Sequence, residues 1–77
     1  MNNRGYEDLA NAIVLSGIEE YKRALIQLHR NPDNERAKQA AQDGERFLYS
    51  DWFEMLTDLR PDYLIQKLKD MIEEKYG

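Results

Sequence analysis

Val14, Ile18, Tyr21, Leu25 and Leu28 recur at alternating four- and three-residue steps, and no proline interrupts the chain between Tyr6 and Arg30. That spacing draws one apolar seam along an α-helix and predicts a long first helix from Tyr6 to about Arg30. Leu9, Ala12 and Ile13 broaden the seam at its start, while Leu15 and Ile26 fall away from it as exposed residues or a second contact face. A glycine inside a helix costs about 1 kcal/mol relative to alanine. Gly17 therefore implies that another helix backbone passes close by, with Ala40, Ala41 or Gly44 as the expected partners.

Asn31-Pro32-Asp33-Asn34 is the clearest break. Proline disfavours helical geometry in the residue before it, so the first helix should stop near His29 or Arg30. Those two also place positive charge in its last turn, where the helix dipole favours it. Asn31 is the expected N-cap of the second helix, with Pro32 in its first turn. Ala37, Ala40, Ala41, Gly44, Phe47 and Leu48 lie on one face of that helix, small at its start and bulky at its end. The first two helices make an expected hairpin.

Ser50-Asp51 offers the next N-cap, opening a short aromatic helix to about Thr57 with Trp52, Phe53, Leu56 and Leu59 on its apolar face. A break at Ser50 is expected, because an unbroken helix would be wrapped in apolar surface by Tyr49, Trp52, Phe53 and Met55. Pro61 is placed to open a last amphipathic helix, whose stripe is Leu64, Ile65, Leu68, Met71 and Ile72, extended by Tyr76. Glu73-Glu74-Lys75 complements the dipole poorly, so that end is expected to fray. The fold class that follows is all-α: a long helical hairpin, a short aromatic helix and a C-terminal amphipathic helix, forming one small four-helix domain over residues 1–77 with 1–5 frayed.

Composition narrows the chemistry. At 77 residues only a thin core is available. With no Cys there is no disulfide or thiolate metal site, and the single His29 argues against a His-built one. Ser16, Ser50 and Thr57 have no evident base beside them, and no glycine-rich phosphate loop follows a strand, so an enzyme, a cofactor and a resident metal are not expected. Asp51, Glu54 and Asp58 form a carboxylate row near the aromatics, but acids near a helix start ordinarily cap it or complement its dipole. Net charge is −4 and the basic residues are interspersed with acids, which disfavours nucleic acid as a partner. No apolar run approaches the roughly 20 residues that a membrane span needs. Met1-Asn2-Asn3-Arg4-Gly5 lacks a signal-peptide core, leaving the cytoplasm as the expected location.

Gly17 to Ala24 followed by Asn31-Pro32 resembles half of a tetratricopeptide repeat. Pro32 falls nearly one turn too late, however, and the unit occurs once where stacking needs several copies. A generic helical hairpin accounts for the same residues.

The aromatic group is the most informative feature. Adjacent Trp52 and Phe53 point about 100° apart on a helix and are hard to bury equally. Core filling is the default reading of both. The functional reading takes Arg46, Tyr49, Trp52, Phe53, Arg60 and Tyr63 as a protein-binding surface, since Trp, Tyr and Arg dominate binding hot spots.

Glu45-Arg46-Phe47-Leu48-Tyr49-Ser50-Asp51-Trp52-Phe53, then Leu56-Thr57-Asp58-Leu59 and Asp62-Tyr63-Leu64-Ile65, resembles a group of small uncharacterised proteins encoded in phages, prophages and mobile elements of Gram-positive bacteria. Their pattern is an Arg-Phe-Phe/Leu-x-Ser-Asp-Trp-Phe run, then Leu-Thr, then Tyr-Leu-Ile. Leu9-Ala10-Asn11-Ala12-Ile13 and Asn31-Pro32 fit as well, while Arg60-Pro61 stands where the group has Asp-Gly. The resemblance implies a bacterial cytoplasm and a phage or mobile-element gene, and it carries no activity. The expected function is a non-enzymatic accessory protein that binds a bacterial host or phage protein, with inhibition of a host defence or regulatory factor as one version. A nucleic-acid-associated replication or transcription factor and a virion or assembly component are the alternatives. A homodimer is a further expectation.

Overall fold

Four helices, α1 (Arg4–Arg30), α2 (Glu35–Leu48), α3 (Asp51–Leu56) and α4 (Pro61–Tyr76), make up the computed structural model, which describes residues 4–77, Arg4 by its backbone only. No strand occurs among the described residues. The expected fraying of residues 1–5 lies outside the described residues for 1–3, and α1 is already helical at Arg4.

The 27 residues of α1 rise about 40 Å at 1.5 Å each and set the long axis of a body measuring 49 × 23 × 18 Å. Helix α2 returns antiparallel along it, α3 crosses near the start of α1, and α4 climbs back parallel to α1. At the far end the Nε2 of His29 lies 3.1 Å from the Tyr76 carbonyl oxygen, joining the ends of α1 and α4. Arg30 sits over the Tyr76 ring, 5.7 Å from its centroid. The last turn of α4 thus stays helical to Tyr76, with the Gly77 amide donating to the Glu73 carbonyl at 2.9 Å, where fraying was expected.

Each turn is fixed by local chemistry. Asn31 is not the second N-cap. Its amide still donates to the Gln27 carbonyl at 2.9 Å, its Oδ1 takes the Asp33 amide at 3.3 Å, and its carbonyl takes the Asn34 amide at 3.1 Å. Asn31 to Asn34 is therefore a closed turn, and the cap passes to Asn34, whose Oδ1 accepts from the Ala37 amide at 3.1 Å. Proline was compatible with both readings, and the Asx turn at Asn31 decided between them. Ser50 caps α3 as expected: its Oγ accepts from the Phe53 amide at 3.1 Å and donates to the Phe47 carbonyl at 2.6 Å. Pro61 opens α4.

The core gathers Val14, Tyr21 and Ala24 of α1, Ala41 and Leu48 of α2, Phe53 of α3, and Ile65 and Leu68 of α4. Ile18, Leu25 and Leu28 complete the α1 seam, half-buried. At its start the seam runs through buried Ala10, while Leu9 and Ala12, expected to widen it, face outward. Ile26 is half-buried and shares a shallow hollow with Met71 and Ile72 of α4, whereas Leu15 stays exposed.

Gly17 lines the α1–α2 seam together with Ala40 and Gly44, and aromatic rings fill the space at both glycines. A Cβ on Gly17 would run into the ring edge of Phe47. A Cβ on Gly44 would stand 2.7 Å from Cδ1 of Tyr21. Both glycines make room for aromatic rings, because each ring reaches across the α1–α2 seam into the gap the missing side chain leaves.

Candidate functional site

Tyr21 is the largest side chain fully withdrawn from solvent. Its hydroxyl donates to Oε2 of Glu45 at 3.1 Å, so the buried phenol is satisfied by a half-buried carboxylate on α2. Burial, reinforced by the negative charge of Glu45 and its hydrogen bond, pushes Tyr21 well above the usual phenol range. It acts as a polar pin between the two hairpin helices.

The short α3 separates its two adjacent aromatics. Phe53 is 1% exposed and packs edge-on against Phe47 with ring centroids 5.5 Å apart. The expectation that Phe53 belongs to a binding surface is therefore corrected: capped at Ser50, α3 aims residue 53 into the core between α1, α2 and α4. Trp52, about 100° round the helix, is left 55% exposed. Its ring stands T-shaped to that of Phe47, with centroids 6.1 Å apart. Met55, three residues on and on the same side of α3, is 83% exposed.

The remaining candidates divide among neighbouring surfaces. Tyr49 and Arg60 share a hollow of about 300 Å³ with Leu59, over the buried Phe53. Tyr49 and Leu59 are both about half exposed there, and Arg60 pairs with Asp62 at 3.3 Å. Arg46 turns away to Asp43 on the exposed side of α2, at 3.6 Å. Tyr63 stands outward on α4 with the Lys67 ammonium 5.5 Å from its ring centroid. Thus the fold joins Tyr49 with Arg60 and Trp52 with Phe47, while Arg46 and Tyr63 engage neighbours on their own helices.

Sequence reasoning missed Met55, Leu59, Tyr6 and Leu9 as parts of the same end of the molecule. Tyr6 of α1 and Met55 of α3 line one shallow hollow. Leu9, one turn before Ile13 on α1, is 60% exposed. The i,i+3 spacing of Trp52 and Met55 was the available signal for one exposed side of α3. Nothing in the sequence brings α1's first turns to that side.

A second concavity lies between α1 and α2: an open groove of about 600 Å³ lined by Ala12, Ile13, Ser16, Gly17, Glu20, Ala40, Asp43, Gly44 and Phe47. No residue of α3 or α4 lines it. The carboxylates Asp51, Glu54 and Asp58 are all exposed, with Asp51 and Glu54 in the first turn of α3, where they complement its dipole. No group of three potential metal-ligating side chains gathers among the described residues. No helix of the described residues is long and apolar enough to cross a membrane. No protein-family model matches this chain, and no curated protein or solved structure matches it either.

Proposed function

We propose that this chain works by binding another protein, with α3 and the turns on either side of it as the contact surface. The observation that carries the reading is the exposure of Tyr49, Trp52, Met55, Leu59 and Tyr63, each about half or more open to solvent within one short stretch of chain. A thin core has reason to bury such side chains, since each fully buried one contributes about 1.5–3 kcal/mol. Here they stay outside while Phe53 alone of α3 goes fully in. Trp, Tyr and Met are the residue types that anchor interfaces, and the arginines Arg46 and Arg60 stand close by in sequence.

The partner's setting comes from the resemblance alone. A phage or mobile-element accessory protein in a bacterial cytoplasm, acting on a host or phage protein, with restraint of a defence or regulatory factor as one version, is what the Glu45–Ile65 resemblance suggests.

The test is affinity capture from a Gram-positive bacterial lysate with the wild type and with the Tyr49→Ala/Trp52→Ala double variant. A partner retained by the first and lost by the second, with both proteins equally folded, is the expected result. Enrichment of nothing above background, or identical recovery by the variant, overturns the reading.

A further inference from the structure

We propose that the open α1–α2 groove receives a basic amphipathic helix from the partner. This deepens the protein-binding reading and rests on it, because Trp52 stands beside Phe47 at one end of the groove. Helix α4 packs on α1, and among the described residues neither α3 nor α4 contributes to the groove.

Its shape suits a helix. Two antiparallel helices leave between them a furrow that takes a third at the usual 8–10 Å spacing, provided the side chains at the contact are short. Ala12, Ser16 and Ala40 supply exposed short walls, and half-buried Ile13 and Phe47 supply an apolar floor. Leu9, one turn before Ile13, continues the apolar track toward the α3 end. Both walls are helices with their backbone groups paired internally, so recognition must run through side chains. That is the helix-in-groove mode rather than strand addition.

Its charge selects the occupant. Among the described residues, the charged ones that line the groove are Glu20 and Asp43, both acids. Glu20 has no hydrogen-bond or ion-pair partner among the described residues. Asp43 is held by Gln39 at 3.0 Å and by Arg46 at 3.6 Å, both in exposed contacts of the kind that yields readily to a better partner. Asp51 and Glu54, exposed on α3, flank Trp52. A helix with lysines or arginines beside its apolar stripe complements this arrangement. A second copy of this chain, at net charge −4, brings the same acids to it.

The probe is a synthetic Leu/Lys peptide of about 14 residues, ~20 Å when helical, with leucines at helical period. Its Leu/Glu counterpart serves as control. Binding is followed by Trp52 fluorescence and by the peptide's gain of helical circular dichroism. The Leu/Lys peptide should bind and the Leu/Glu peptide should not. Glu20→Gln/Asp43→Asn should weaken binding about 3- to 10-fold, with a shallower salt dependence. Glu73→Gln/Glu74→Gln, which removes the same charge from the end of α4, should leave it unchanged. Ala40→Arg, at an exposed position that the fold does not need, should abolish it.

Equal loss from both acid pairs, tight binding of the Leu/Glu peptide, or indifference to Ala40→Arg overturns the assignment. So does a dimer by light scattering that withstands the peptide, which would put a second copy in the groove. If a lysate partner is lost with Tyr49→Ala/Trp52→Ala yet retained by Ala40→Arg, the protein-binding reading stands and the groove assignment falls. If no such partner exists, the broader reading falls first.

Discussion

Replacing Tyr21 by phenylalanine keeps the ring that fills the gap over Gly44 and removes only the hydroxyl that reaches Glu45. A hydrogen bond to a charged acceptor is worth about 1.5–3 kcal/mol, but half-buried Glu45 recovers water when its donor goes. The loss expected near neutral pH is therefore about 1 kcal/mol, a fall in Tm of about 4–8 °C for a domain of this size. The pH dependence makes the test sharper. Tyr21 is held neutral in the fold by burial and by the Glu45 charge, so its folded pKa lies above its unfolded one. The stabilisation is then complete below the unfolded phenol value of about 10 and is lost as pH climbs from there toward the folded value. Above pH 10 the wild type loses about 1.4 kcal/mol per pH unit relative to Tyr21→Phe. The remaining tyrosines are common to both proteins and cancel in the comparison. A deficit of about 1 kcal/mol should thus vanish at about pH 10.5–11, and beyond that the variant should be the more stable protein. Urea unfolding of both proteins at pH 8, 10 and 11 measures it. A deficit that is the same at pH 8 and pH 11 would show that this hydroxyl is not held neutral between α1 and α2, and the reasoning would fail.

Phe53→Ala should cost about 3–5 kcal/mol and Trp52→Ala less than about 1 kcal/mol, a contrast between adjacent residues read directly from denaturant midpoints. Asn34→Ala should destabilise by about 1 kcal/mol through the lost α2 cap, with Asn31→Ala milder; the opposite order would return the cap to Asn31. Gly44→Ala should be net destabilising by about 1 kcal/mol, since overpacking against the fully buried Tyr21 outweighs the gain in helix propensity. Gly17→Ala should cost less, because its added methyl meets only the outer edge of the half-buried Phe47 ring whereas at Gly44 it also meets Cβ of Tyr21, and thermal melts of the two variants rank them.

The four helices, their order and the breaks at Asn31–Asn34, Ser50 and Pro61 were legible because each depends on local chemistry. Hydrophobic period, a serine that accepts an amide three residues on, and a proline without a donor all act within a turn or two of chain. The seam of Val14, Ile18, Tyr21, Leu25 and Leu28 needed only a 3.6-residue repeat to be seen. Where two local solutions competed, as with Asn31 and Asn34 for one cap, the sequence held both and the hydrogen bonds of the folded turn chose.

What only the tertiary structure decided is which apolar residues the core had room for. Trp52 and Phe53 are equivalent as sequence, and the angle at which α3 crosses α1 and α2 sends one inward and leaves the other in solvent. Gly17 and Gly44 announced close approach, but whether backbone or an aromatic ring came close depended on the register of α2 against α1. The same register opens the acidic groove, since Glu20 and Asp43 are far apart in the chain and line one groove only because the hairpin closes. Local propensity is a property of neighbouring residues, whereas exposure and charge juxtaposition belong to elements packed together, and the α1–α2 groove is made entirely of the latter.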